Sequence, residues 1–294
     1  MSRPCYAVAL MTSENDYQLA SLAEVRDIAR RLSVDIEVLD AGNDAIVQTK
    51  QLLDVIQRRQ NRPEGIICNA VGSGMPQVAH AAAAAGISWA IMNREVDYLA
   101  ELWDRHKVPA CTVRPDQTAV GQLLGRQANA LLPHGGSVLC ITGPSSSGVA
   151  LKRLSGMQSV LKSNIEMRTI HGQWTRESAT RSVTSWLQLS TARSMSLDLV
   201  VCHNDDMAAG ARQAFSSSGS LWQNLRYTGV DGLPDGGQKM VRQGSLAATV
   251  VLPITSGIAL EQLVESRSKG LKPPIETLIS PHSFPDINSL SAIR

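Results

Sequence analysis

Three apolar, β-branched runs between residues 198 and 253 each end on a polar or turn residue and then give way to a helix-like run. Residues 197–202 have the character of a buried strand that stops just short of Asn204, and 208–215 then read as helix. Residues 225–230 form a second strand with Asp231-Gly232 at its tip, and 247–252 a third, closed by Pro253. Uninterrupted apolar strands alternating with helices predict a parallel sheet covered on both faces. Ligands of such sheets sit beyond the carboxyl ends of the strands. Asn204 and Asp231 are therefore candidate contact residues.

The same alternation runs through the chain. Further strands are predicted at 5–11, 34–39, 66–68, 87–92, 108–113, 137–142, 165–170 and 275–279. Helical spacing or punctuation marks 19–32, 45–60, 76–86, 118–132, 149–161, 177–189 and 256–264. Eleven strands exceed one comfortable sheet, so two doubly wound sheets of about six strands are expected. With 294 residues the chain can bury two cores. The first break between them is placed at Arg114-Pro115, where proline fixes a bend.

Composition narrows the function by exclusion. Hydrophobic residues make up 43% and charged residues 18%, as in ordinary globular domains, and the net charge of +2 argues for neither nucleic acid nor a membrane surface as partner. No run reaches transmembrane length, so no membrane insertion is expected. Cys5, Cys68, Cys111, Cys140 and Cys202 all lie in apolar strand-like runs without ligand spacing, which predicts buried free thiols. Met1-Ser2-Arg3-Pro4 leads straight into a strand. The chain as given therefore reads as cytoplasmic if native.

Catalytic and cofactor motifs do not assemble. Gly72-Ser73-Gly74 has the place of a dinucleotide-binding turn, but Gln77 stands at the third glycine position and Pro76 intrudes, so a plain βα turn is expected. The loop from Gly143 to Gly148 lacks a phosphate-binding lysine and the spacing of a hydrolase elbow. Whether its backbone N–H groups face a ligand is left open. The six histidines show no metal spacing, and His203 reads as a packing residue. Neither an enzyme nor a metal or other cofactor is expected. Asp205 and Asp206 read as helix N-caps. Asn204 offers donors and an acceptor that suit vicinal hydroxyls. Asp231 can accept two hydroxyl hydrogens, each such charge-assisted bond contributing roughly 1.5–3 kcal/mol.

The segments Asn204-Asp205-Asp206-Met207-Ala208-Ala209-Gly210-Ala211, Gly229-Val230-Asp231-Gly232 and Gly244-Ser245-Leu246-Ala247-Ala248-Thr249-Val250 together resemble the C-terminal half of sugar-binding periplasmic proteins of the ribose-binding type. Effector domains of lac-repressor-family regulators share that fold. The resemblance implies two doubly wound parallel-sheet lobes joined by a three-strand hinge. One lobe would comprise 1–114 plus 253–278, the other 115–252 plus 279–294, with a ligand between them. It implies that Trp174 and Tyr17 stack on a sugar ring, whose C–H faces an aromatic plane buries. It matches Asn93-Arg94 to an Asp-Arg pair that grips ring oxygen and hydroxyls. Three departures stand out: Asn93 replaces the aspartate, Leu151 an arginine, although Arg153 is close, and Leu252 a glutamine. Two leucines in place of polar contacts point to a less polar pocket, suited to a deoxy-sugar, an alkylated cyclic polyol or another partly apolar molecule.

The function so implied is binding of a small sugar-like or cyclic polyol ligand, as the solute-binding component of an ABC-type uptake system. Its partners would be that ligand and a transporter membrane component, and its location periplasmic if a leader was removed. The alternative is an effector-sensing domain of lac-repressor type without its DNA-binding module, since no helix-turn-helix precedes Cys5 and no nucleic acid is contacted directly. An NAD-dependent oxidoreductase is the weaker rival.

Overall fold

The computed structural model describes residues 3–72, 75–193, 196–219 and 222–290. In chain order the elements are β1 (Cys5–Leu10), α1 (Asp16–Leu32), β2 (Asp35–Asp40), α2 (Ala45–Ile56), β3 (Gly65–Cys68), α3 (Pro76–Ala84), β4 (Ser88–Met92), α4 (Leu99–His106) and β5 (Ala110–Pro115). Then follow α5 (Gln117–Leu131), β6 (Gly136–Thr142), α6 (Gly148–Val160), β7 (Ile165–His171), α7 (Arg176–Leu187), α8 (Ser190–Arg193), β8 (Leu199–Cys202), α9 (Asp205–Ser216), β9 (Arg226–Asp231), α10 (Gly237–Arg242) and β10 (Ala248–Val251). The chain closes with α11 (Ser256–Lys269), β11 (Glu276–Ile279), β12 (His282–Phe284) and α12 (Ile287–Leu290).

These elements form two α/β units, each around one six-stranded sheet. The first unit runs to Arg114 and regains Ile254–Ile279; its strand order is β11-β5-β4-β3-β1-β2. The second holds Pro115–Pro253 and the chain from Ser280 on, in the order β12-β10-β9-β8-β6-β7. From β2 to β5 and from β7 to β10 every neighbouring pair is parallel.

Side-chain alternation explains why helices cover both faces of the first sheet. Ala7, Ala9, Ile66, Cys68, Trp89 and Ile91 point to one side, where Leu52, Ala79 and Leu102 from α2, α3 and α4 meet them. Tyr6, Val8, Ile67, Ala90, Cys111 and Val113 point to the other, against Val25 of α1 and Leu260 of α11. A strand buried on both faces is apolar at every position, which is why such runs are legible in sequence. In the second unit, Leu139, Ile141, Val200 and Cys202 pack under α7 and α9 with Phe215 and Trp186. Cys68, Cys111, Cys140 and Cys202 are buried free thiols, whereas Cys5 is half-buried.

Among the described residues, α4, α8, α10, α12 and β12 were not among the expected elements. β12 is a three-residue strand that joins β10 antiparallel, too short and too exposed to leave an apolar run. α4 leaves no strong apolar pattern, because its eight residues carry Glu101, Asp104, Arg105 and His106 and bury only Leu99 and Leu102. Of the Gly72 turn, Ser73 and Gly74 lie outside the described residues.

Candidate functional site

The parallel strands of each unit end together, and that edge carries the polar groups singled out above. In the second unit, Trp174 follows β7, Asn204 follows β8 and Asp231 closes β9. Asn204 is the N-cap of α9: its Oδ1 accepts the Met207 amide at 2.9 Å and its Nδ2 donates to the Trp174 carbonyl at 2.9 Å. The capping role expected of Asp205 and Asp206 thus belongs to Asn204, the one residue of the three with extended backbone before the first turn. α7 and α9 can bring these loops together because Gly210 lies on the Arg176 carbonyl, where a Cβ would meet the oxygen at 2.0 Å.

Trp174 holds a left-handed backbone, with φ of 66°. Its indole lies against Gly143, where a Cβ would stand 2.1 Å from Cζ2. The Arg153 guanidinium carbon lies 5.6 Å from the indole centroid, and the His203 ring stacks at 6.4 Å and 27°. A cation over an indole is attracted to its electron-rich face. Arg153 is itself buried, donates Nε to Gln117 Oε1 at 2.8 Å and donates Nη1 to the His203 carbonyl. Two further glycines make this reach possible. α5 and α6 touch at Gly121 and Gly156, where a Cβ would meet the Arg153 and Thr118 carbonyls at 2.0 and 2.2 Å.

His203 is fully buried, and burial, helped by the Arg153 charge, drives its pKa well below the ordinary value. Its neutral ring accepts the Gly143 amide on Nδ1 at 3.4 Å, which leaves the proton on Nε2, 3.8 Å from Cys140 Sγ. It is a packing residue under the indole, not an exposed base.

Asp231 is buried with φ of 108°, and its carbonyl accepts the Leu252 amide at 3.0 Å. Leu252 is buried beyond β10, whereas Leu151 on the first turn of α6 is 55% exposed. Residues two apart on a helix face opposite ways, so the guanidinium that meets Trp174 comes from position 153 and not from position 151. The sequence comparison set Leu151 in the arginine's place with Arg153 close by; what it did not give was that Arg153, three residues before the close helix crossing at Gly156, is the one turned inward.

In the first unit, Asn93 and Arg94 follow β4. Asn93 also has left-handed backbone, φ 58°; its Nδ2 donates to Asn69 Oδ1 at 3.0 Å and its Oδ1 accepts the Thr255 hydroxyl at 3.5 Å. Arg94 donates to the Ala70 carbonyl, and Thr112 Oγ1 donates to the Arg94 carbonyl at 2.8 Å. Burial pulls the Arg94 pKa down from its ordinary value. Asn69, just past β3, is buried with no hydrogen-bond partner for Nδ2. Tyr17, in the first turn of α1, is 5% exposed. Nothing in the sequence pattern had marked Asn69.

Among the described residues no group of His, Cys, Asp or Glu is placed to hold a metal ion, and no helix is long and apolar enough to cross a membrane. A hollow of about 560 Å³ along α2, lined by Ile46, Thr49, Lys50, Leu53 and Asp54, shares no residue with the strand-end groups.

Comparison with known proteins points the same way. The D-allose-binding periplasmic protein of Escherichia coli (strain K12) is 26% identical over 282 residues, 92% of this chain and 87% of the relative. A putative rhizopine-binding protein of Rhizobium meliloti is 26% identical over 262 residues, 82% of this chain and 81% of the relative. Among solved structures, a galactofuranose binding protein superposes with a TM-score of 0.84 at 22% identity, over 98% of this chain and 96% of that one. The periplasmic component of the arabinose ABC transporter from Shewanella sp. ANA-3 gives 0.83 at 22%, over 98% and 93%. At such identity the superposition speaks for the fold, the paired parallel-sheet units described above. The family model described as "Periplasmic binding protein domain" matches residues 6–254, through every one of the strand ends just described, and the chain belongs to that family.

Proposed function

We propose that this protein binds a sugar-like or cyclic polyol ligand as the solute-binding component of an ABC-type uptake system. Asn204, Asp231 and Trp174 would serve from the second unit, with Asn93, Arg94 and Tyr17 from the first. One observation carries the reading. Trp174, Asp231 and Asn93, three of the residues singled out for ligand contact, all hold left-handed backbone at strand ends. For tryptophan and aspartate that conformation costs of order 1–3 kcal/mol each, and such strain persists where surrounding structure enforces a functional geometry.

The relatives support the ligand class: by name they bind D-allose, xylitol and galactofuranose, and one is a putative rhizopine-binding protein. Solved neighbours hold arabinofuranose, D-allose and myo-inositol. We read the protein as a binder and not an enzyme, because the family it belongs to is one of periplasmic binding proteins. A periplasmic location follows the relatives' names. Leu252, buried where the resemblance has a glutamine, leaves room for a partly apolar ligand, while Arg153 restores a cation beside Trp174. Calorimetry and thermal melting against D-allose, xylitol, L-arabinose and myo-inositol test the reading. A micromolar affinity, about −8 kcal/mol, with a raised Tm is expected for at least one. Silence across the panel, in both measurements, removes it.

A further inference from the structure

Asp205 was expected to cap a helix; instead it turns inward and reaches two strands. Its Oδ2 accepts the Gly232 amide at 2.8 Å and its Oδ1 accepts the Thr249 hydroxyl at 2.7 Å. The carboxylate is seated on two glycines: a Cβ at Gly229 would stand 2.1 Å from Oδ1, and one at Gly237 1.9 Å from Oδ2. One buried side chain from α9 therefore joins the tip of β9, the middle of β10 and the start of α10. Asn204, the residue before it, holds the Trp174 carbonyl, and Gly232, which it grips, is the residue after Asp231.

We infer that Asp205 is the positioning residue of the second unit's strand-end site, fixing the Asp231–Gly232 turn so that Asp231 keeps its left-handed backbone and its place for a ligand hydroxyl. The inference rests on the binding function proposed above, which it deepens. The ionised carboxylate accepts charge-assisted bonds from both partners; a proton on Oδ1, donated to the Thr249 hydroxyl, leaves a neutral oxygen and a weaker bond for the Gly232 amide, and a proton on Oδ2 would face that N–H. Turn geometry is thereby linked to one proton. Burial pushes the Asp205 carboxyl up to about 7, opposed by the bonds from Thr249 and Gly232. The charged groups around it are Asp206 on the same helix, itself paired with Arg176 at 3.5 Å, and Arg153 on α6. The Cys202 thiol on β8 is pushed up by burial and stays protonated.

The test uses the full chain and has one arm that needs no ligand. In wild type the Gly232 amide resonance should move through neutral pH, and in Asp205→Asn it should not, since asparagine can accept from Gly232 and donate to Thr249 without titrating. Thr249→Val, which removes one donor, should move that midpoint to higher pH and so covers the case in which a harsher variant fails to fold. In the second arm, affinity for D-allose, myo-inositol and xylitol is measured from pH 5.5 to 8.5. Binding by wild type should weaken at least threefold on acidification, Asp205→Asn should lose that dependence, and Asp205→Leu should bind at least tenfold more weakly. A Gly232 amide that ignores pH in wild type, or a folded Asp205→Leu that binds like wild type, overturns the inference. If none of the three probes binds while the amide titrates as expected, the clasp stands and the binding function fails by itself.

Discussion

The Asn204 side-chain amide donates to the Trp174 carbonyl at 2.9 Å, so the cap of one helix fixes the loop leading into another. The same side chain accepts the Met207 amide. A residue whose paired donor and acceptor suit hydroxyls therefore spends one of each inside the protein. What it has left is held rigidly, because both bonds constrain the amide plane.

Replacing Asn204 should separate these roles. Asn204→Ala should lose about 1–2 kcal/mol in urea unfolding, the usual loss for a missing cap. Asn204→Ser keeps an acceptor for Met207 but cannot reach the Trp174 carbonyl. It should unfold close to wild type and still bind sugar probes more weakly. Equal effects of the two variants on stability would contradict this division.

Trp174 and Gly143 form one packing unit. Gly143→Ala places a methyl carbon where the indole now stands, 2.1 Å from Cζ2, and the ring must move. Overpacking of this kind costs about 1–3 kcal/mol. The Trp174 emission maximum should shift, and affinity should fall with it. Trp174→Ala should cost at least tenfold in affinity, about 1.4 kcal/mol.

Arg153→Met keeps much of the volume and removes the donors to Gln117 Oε1 and the His203 carbonyl. Hydrogen bonds to a charged group are worth about 1.5–3 kcal/mol each. A loss of several kcal/mol is expected by denaturant titration. Leu151→Ala, on the exposed side of the same helix turn, should unfold like wild type.

Two buried groups tilt the pH–stability profile in opposite directions. The His203 pKa is depressed, so the unfolded chain takes up a proton that the folded chain refuses. Stability is present above the ordinary value of 6.5 and is lost as pH falls below it. The Asp205 pKa is raised, so the folded chain holds the proton longer. Its contribution is present below the ordinary 3.8 and is lost as pH rises toward about 7. Unfolding free energies from pH 4 to 9 should show the acid limb flattened in His203→Gln and the neutral limb flattened in Asp205→Asn. An unchanged profile in both variants would refute these assignments.

The strand ends were legible in the sequence for a physical reason. A parallel strand covered on both faces must be apolar at every position, as in Val200, Val201 and Cys202. The first polar residue after it marks the sheet edge where ligands bind in this class of fold. That reasoning placed Asn204 and Asp231 at strand ends without coordinates, whereas Asn93 entered through the family resemblance; Pro76 and Gly86 bracketed α3. What no local pattern held was direction and partnership. Arg153 and Leu151 differ by two positions, and only the packing of α6 on α5 through Gly121 and Gly156 turns the arginine inward. Asp205 and Asn204 are adjacent polar residues at one helix start; only the return of β9 and β10 beside α9 gives the aspartate Gly232 and Thr249 as partners. Burial pattern is a property of each segment and can be read from it, whereas the partner of a polar side chain is set by residues tens of positions away and exists only once the units have folded.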